Sequence, residues 1–322
     1  MTGRGIGELE RGEIAVAGVR RTYWLARAAR QPGQAPPALL IALHGSGMDG
    51  KGMAWISGLA QRGPAAGVTV VFPDGWKGGW HPARPPAEEP GLDDARFLAD
   101  LAGHLEGRGA ASSWPVFLAG ASQGARYAEH LARHGLLPVT GLFLVAGTGL
   151  EFSRRLAPVP RLPASMTLVI GTGDRTAPYA GGRLTRGGLS GLVLKRRAVR
   201  HGERPGEDIV TGAEELAADW ALANGITPDD TGQPAGPVST QLPMPSPDDP
   251  PVTCMTWAKP GCHSVTLYRI EGGGHGWPGG PQFLPAPVIG PIARHLDATG
   301  LLLEMTGRES AGPPGRPALR RD

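Results

Sequence analysis

Three side chains far apart in the sequence have the types needed to turn an alcohol into a nucleophile. Ser122 stands in Gly120-Ala121-Ser122-Gln123-Gly124. In such a G-x-S-x-G pattern, small flanking residues permit the strained turn that lifts a serine hydroxyl above a sheet. With 12 serines and 51 glycines in 322 residues, chance alone supplies about 0.3 such patterns, so the surroundings must carry the reading. The apolar run Val116 to Ala119 precedes the serine, and Ala125, Ala128, Leu131 and Ala132 follow at helical spacing until Gly135. Strand, sharp turn and helix are the context the pattern requires.

A serine hydroxyl is a poor nucleophile near neutral pH. It needs a base, and the base needs a partner that fixes its tautomer. Asp174 ends Gly171-Thr172-Gly173-Asp174, just past the apolar run Met166 to Ile170; sheet enzymes place functional groups at such carboxyl ends. The plainer alternative is a turn aspartate. His275 lies in the glycine-rich stretch from Gly272 to Gly280, just past the run Val265 to Ile270. That setting is a loop, where core packing explains a histidine poorly. The segment His44-Gly45-Ser46-Gly47 follows the run ending at Leu43. It is suited to offer the backbone N–H of Ser46 to a developing oxyanion, with the N–H of Gln123 as the second donor. Trp80 and Trp277 are candidates to line an aromatic or apolar acyl pocket, against the plainer reading that tryptophans pack.

Other chemistries compete for the same stretches. Gly45-x-Gly47-x-x-Gly50 follows a strand, precedes the helix-like Met53 to Ala60, and Asp74 ends the next strand. That is a dinucleotide fingerprint and would make the chain an oxidoreductase. It accounts for Asp74 but leaves serine, acid and histidine in workable order as a coincidence, so hydrolysis is preferred. His130 and His134 have the i, i+4 spacing of a metal pair, yet Leu131 stands where a zinc protease would have glutamate. A zinc hydrolase therefore ranks third, and a noncatalytic binding module on the same scaffold is a further class. His201, His263 and His295 default to surface or structural roles.

The elements that must position these residues follow from the apolar runs. Residues 38 to 43, Val68 to Phe72, Val116 to Ala119, Leu142 to Val145, Met166 to Ile170 and Val265 to Ile270 are short and continuous, as strands buried on both faces are. Helix-like stretches lie between several of them, and Tyr23 to Leu25 reads as an early strand. The expected fold class is α/β, with a mainly parallel central sheet flanked by helices. Asp93 and Asp94 precede Phe97, Leu98, Leu101 and Leu105, so both are expected to cap a helix. Thr211 with Glu214 forms a capping-box pattern before a helix ending near Asn224 and Gly225. Eight prolines between Thr227 and Val252 preclude a long helix or central strand there. The expected organisation is one domain over 1–305, with a proline-rich loop insertion at 227–252 and a disordered tail at 306–322.

Composition narrows the partners. A net charge of +3, with basic residues spread along the chain except in the tail, gives no stripe for nucleic acid. No apolar run approaches the length that spans a bilayer, and residues 1 to 30 lack the apolar centre of a secretory signal. As written the chain is expected to be cytoplasmic, or extracellular or periplasmic if a leader has been removed. Cys254 and Cys262 are too few for a disulfide framework and fit no four-ligand zinc pattern; one bridge and two free thiols are both open.

Taken together, His44-Gly45, Pro73-Asp74-Gly75, Asp93-Asp94 with Phe97, the Gly120 to Gly124 elbow, Gly173-Asp174 with Pro178-Tyr179 and Gly181-Gly182, and Gly274-His275-Gly276-Trp277-Pro278-Gly279 resemble the polyhydroxybutyrate depolymerase and feruloyl esterase group of α/β-hydrolases. The resemblance spans roughly Arg20 to Gly280. It implies an α/β-hydrolase fold and a serine esterase whose triad is Ser122, Asp174 and His275, working without a cofactor or metal. Secreted members often carry cysteines where this chain has Ser46 and Ile226, so their disulfides do not carry over. Members that act on solid polymer usually bear a separate binding domain for which this chain has no room. The expected partner is therefore a small-molecule or oligomeric ester with a hydroxyacyl, phenolic or acetyl part.

Overall fold

The computed structural model describes residues 8–29, 38–82, 93–105, 114–184, 209–226 and 236–310. Six strands form its parallel centre: β3 (Ala38–Leu43), β4 (Val68–Pro73), β5 (Val116–Ala121), β6 (Gly141–Val145), β7 (Ser165–Gly171) and β12 (Val265–Ile270). Their spatial order is β4-β3-β5-β6-β7-β12. The hairpin β1 (Glu10–Val16) and β2 (Val19–Ala26) adds antiparallel to β4, while β11 (Val252–Trp257) and β10 (Val238–Gln241) add antiparallel beyond β12. β8 (Gly182–Arg183) and β9 (Ile209–Val210) form a separate two-stranded ribbon.

Period-two alternation divides the core between the two faces of the sheet. In β3, Leu39, Ile41 and Leu43 join one apolar cluster, and Ala38, Leu40 and Ala42 join the other. The first cluster is covered by α3 (Asp94–Leu105), α4 (Gln123–Arg133) and α6 (Ala213–Ala223) through Phe97, Leu101, Leu131, Leu216 and Trp220. The second is covered by α1 (Gly50–Ser57), α2 (Leu59–Ala65) and α8 (Ala298–Ser310) through Met53, Ile56, Leu59, Leu302 and Met305. A short α5 (Glu151–Leu156) follows β6, and a single turn, α7 (Ala286–Ile289), follows β12. Among the described residues, no helix is long and apolar enough to cross a membrane.

Several expectations are corrected. The helix-like stretch Met53 to Ala60 is two helices, parted at Gly58, whose φ of 66° ends α1 and opens α2. Thr211 and Glu214 form no capping box: α6 is preceded by Gly212 without a side-chain cap, and Glu214 instead accepts from Tyr179 Oη at 2.8 Å. Asp93 does cap α3, accepting from Arg96 N–H at 3.0 Å, but Asp94 is turned inward and buried. Part of the proline-rich insertion is strand, since Val238–Gln241 pairs with Thr253–Thr256 at the sheet's edge; residues 227–235 lie outside the described residues. The helix to Ser310 takes residues 306–310 out of the expected tail, and 311–322 lie outside the described residues. Cys254 and Cys262 are both free.

Candidate active site

The three expected side chains leave the carboxyl ends of β5, β7 and β12 and meet over the sheet. Ser122 joins β5 to α4 with φ 56° and ψ −116°, a conformation an L residue adopts only when its surroundings impose it. The imposing contacts are backbone to backbone. A Cβ on Gly120 would lie 2.3 Å from the carbonyl of Gly124, and one on Gly124 would lie 2.4 Å from the carbonyl oxygen of Leu43. Any larger residue at either position pries the strand, turn and helix apart.

His275 Nε2 is 2.8 Å from Ser122 Oγ, and His275 Nδ1 is 2.7 Å from Asp174 Oδ2. A carboxylate can only accept, so Nδ1 carries the proton toward Asp174 and Nε2 keeps its lone pair for the serine hydroxyl. The other oxygen, Asp174 Oδ1, accepts from the N–H groups of Thr176 and Ala177 at 2.8 and 2.9 Å, which locks the carboxylate in the turn after β7. The strand order explains the meeting. β7 and β12 are neighbours, and their following loops are tied by Gly173 N–H to Gly273 O at 3.0 Å. The sequence separation of 101 between acid and histidine is thus closed by adjacent strands. His275 is also gripped through its backbone N–H, which donates to Ile289 O.

The expected oxyanion donors belong to two loops that flank Ser122. Gln123 opens α4, so its N–H has no intrahelical acceptor and lies at the positive end of the helix. Ser46 follows His44-Gly45, and an added Cβ on Gly45 would sit 3.3 Å from Ser122 Cβ, so this loop runs directly beside Ser122. Burial pushes the pKa of His44 below its ordinary value and keeps the ring neutral. Its Nε2 accepts from Gly75 N–H at 2.9 Å, leaving Nδ1–H to donate to Gly45 O at 2.8 Å. His44 is therefore a brace for the loop.

Trp80 and Trp277 are corrected from pocket lining to packing. Each is 1% exposed. Trp80 Nε1 donates to His44 O at 2.9 Å and its ring stacks on Tyr127, while Trp277 Nε1 donates to Thr299 Oγ1 at 2.9 Å with its ring against Phe143. The dinucleotide reading loses its acidic residue: Asp74 spends Oδ2 on the Thr22 hydroxyl at 2.6 Å and Oδ1 on Gly50 N–H at 2.8 Å. Asp49 occupies the start of α1 as its N-cap. His130 Nδ1 and His134 Nε2 converge on the hydroxyl of buried Ser153, at 2.9 and 3.0 Å, rather than on a metal-binding set.

Sequence reasoning missed the side chain of Gln123, whose amide pairs with the backbone of Trp80, Nε2–H to O at 3.2 Å and Oε1 from N–H at 3.3 Å. It also missed Gln282, which staples the segment behind His275 by donating to Leu284 O and Gly290 O and accepting from Ile292 N–H. Neither glutamine stands in a pattern that announces such a bond.

No family model matches the chain. A protein of Nocardia uniformis subsp. tsuyamanensis, named "Putative esterase NocK", is 27% identical over 290 residues that cover 88% of this chain and 78% of that protein. Among solved structures, the acetyl xylan esterase from Aspergillus awamori superposes with a TM-score of 0.53 over 83% of this chain and 94% of its own, at 14% identity. The likeness is one of fold: the chain has the α/β-hydrolase architecture.

Proposed function

We propose that this α/β-hydrolase fold houses a serine carboxylic-ester hydrolase whose nucleophile, base and orienting acid are Ser122, His275 and Asp174. The observation that carries the reading is the unbroken hydrogen-bonded line from Ser122 Oγ through both nitrogens of His275 to Asp174, at 2.8 and 2.7 Å. Similarity to a protein bearing an esterase name supports the same reading. Ser122 Oγ attacks the ester carbonyl as its proton passes to His275 Nε2, and Asp174 stabilises the imidazolium. The N–H groups of Gln123 and Ser46 receive the oxyanion, each donor contributing on the order of 3 kcal/mol to the transition state. Collapse returns the proton from His275 to the departing alcohol and leaves an acyl-enzyme. Water then gives a proton to His275, attacks the acyl carbon, and frees the acid and Ser122.

The substrate class is a soluble or oligomeric ester of the kind handled by polyhydroxybutyrate depolymerase and feruloyl esterase relatives, with a hydroxyacyl, phenolic or acetyl part. The motif set from His44-Gly45 to His275-Gly276-Trp277 supports this class. With both tryptophans packed in the interior, selectivity falls to other residues around Ser122.

Replacing the nucleophile, Ser122→Ala, is expected to abolish hydrolysis of a short p-nitrophenyl ester while circular dichroism and melting stay those of the parent. A fluorophosphonate should label Ser122 in the parent, read by mass spectrometry of the peptide. Retained turnover in the variant overturns the assignment. A thermal shift with a nicotinamide dinucleotide and no label favours the oxidoreductase, and neither response favours a noncatalytic binding module. A panel of acetyl, feruloyl and 3-hydroxybutyryl esters orders the substrates.

A further inference from the structure

Both proposed oxyanion donors lean on one stretch of chain, Gly75 to His81, which has almost no regular structure of its own. Gly47 N–H donates to Gly78 O at 2.9 Å, and Gly75 N–H donates to His44 Nε2. Trp80 Nε1–H holds His44 O, and the amide of Gln123 pairs with both backbone groups of Trp80. The 75–81 stretch thereby sets the distance between the His44–Gly47 loop and the first turn of α4. Its backbone is a single 3-10 turn with Lys77 at φ 52° and Gly78 at φ 81°, so it needs holding from outside.

That hold converges on one carboxylate. Asp94 has a fully buried side chain, although Asp93 already caps the helix. Its Oδ1 accepts from Arg21 Nη2 at 2.7 Å, and its Oδ2 takes the backbone N–H of His81 at 3.1 Å and faces His81 Nδ1 at 3.2 Å. Arg21 reaches the other end of the same stretch through Asp74 O at 3.3 Å, with its guanidinium 4.0 Å from the Phe97 ring centroid and 5.8 Å from that of Trp76. A buried ion pair is a weak source of net stability, because desolvation offsets its attraction. What it supplies here is a fixed place for each of its partners.

We propose that Asp94 is a positioning residue for the oxyanion donors, acting through Arg21 and His81 to fix the 75–81 stretch against the Ser46 loop and Gln123. The inference rests on the serine-hydrolase reading and assigns Asp94 no contact with substrate. Its removal loosens the donors while the line Ser122–His275–Asp174 stays intact, so turnover falls and ground-state binding does not.

The test is Asp94→Asn in the full chain, with an ester and its thionoester counterpart as substrates and active sites counted by fluorophosphonate. Per labelled site, kcat for the ester is expected to fall about 10- to 100-fold, a fraction of what losing a donor outright costs, with KM within about twofold. The ratio of ester to thionoester rates should fall with it, because aligned N–H donors favour oxygen over sulfur. A merely structural role lowers the number of active sites and leaves that ratio unchanged, and an unchanged ratio or an unchanged kcat per site overturns the proposal. Should Asp94→Asn fail to fold, Arg21→Lys, which keeps a buried charge but cannot span both Asp94 Oδ1 and Asp74 O, is expected to lower both kcat per labelled site and the ratio several-fold; no change in either overturns it. Absence of label and turnover in the parent overturns the hydrolase reading and this one with it, whereas a labelled, active parent with an unmoved ratio overturns this one alone.

Discussion

Asp174 differs from an ordinary turn aspartate by how its two oxygens are divided. Oδ1 is committed to two backbone N–H groups and Oδ2 to His275. In Asp174→Asn the amide oxygen stays with Thr176 and Ala177, so the NH2 group faces His275 Nδ1. The ring must then accept there and carry its proton on Nε2, pointing at Ser122 with the wrong tautomer. The expected outcome is a fall in kcat of about 10⁴-fold with the fold retained, measured on the p-nitrophenyl ester beside a melting curve. At this scale the three side chains that the structure brings together were legible because each sits in a glycine-rich turn past an apolar run. It did not show Asp94, whose neighbour Asp93 is adjacent in sequence and chemically identical. Only the inward turn of α3 toward Arg21 separates a cap from a buried anchor. Trp80 and Trp277 fail for a related reason, since a tryptophan beside a reactive residue reads the same whether it faces the cleft or the core.

Helix ends give a direct comparison between a cap that forms and one that does not. Asp49 accepts from Gly52 N–H at 2.8 Å at the start of α1, so Asp49→Ala is expected to cost about 1 kcal/mol. Thr211, with its hydroxyl buried and α6 preceded by Gly212, has no cap to lose. Thr211→Val, which keeps the buried shape and removes a hydroxyl that has no partner, is expected to be neutral or stabilising, and urea unfolding of the two variants should separate them. The parallel strands were legible because burial on both faces writes them as continuous apolar runs, and residues 38–43 and Val265–Ile270 match their strands to the residue. Of the outer strands, β2 was legible at Tyr23 to Leu25, whereas β1 and β10 were not. β1 opens on Glu10-Arg11-Gly12-Glu13 and is largely exposed, and β10 is exposed at all four positions among prolines, so neither carries a continuous apolar signal.

Over the whole molecule, acid stability depends on buried groups away from the reacting centre. His130 is 7% exposed, and burial, then the nearby His134 and Arg133, lower its pKa from 6.5 to about 3. The folded value lies below the unfolded one, so the unfolded chain takes the proton first. The stability this neutral ring permits is whole above pH 6.5 and drains away as pH falls toward 3. In that window the loss approaches about 1.4 kcal/mol per pH unit. His130→Gln is expected to flatten the decline of unfolding free energy between pH 6.5 and 4.5 relative to the parent, measured by urea titration at each pH; parallel declines would refute the buried-histidine account.

Neighbouring strands β7 and β12 deliver the acid and the histidine from points 101 residues apart. The intervening chain is therefore a detour whose departure and return are pinned by strand register. Where it builds core, as α6 does through Leu216 and Trp220, it is constrained by packing, and the remainder is bound only to return the chain to β12. Under the proposed function, preference among esters is the property that the untethered part of this excursion is free to set, while the strand register keeps acid and base in place.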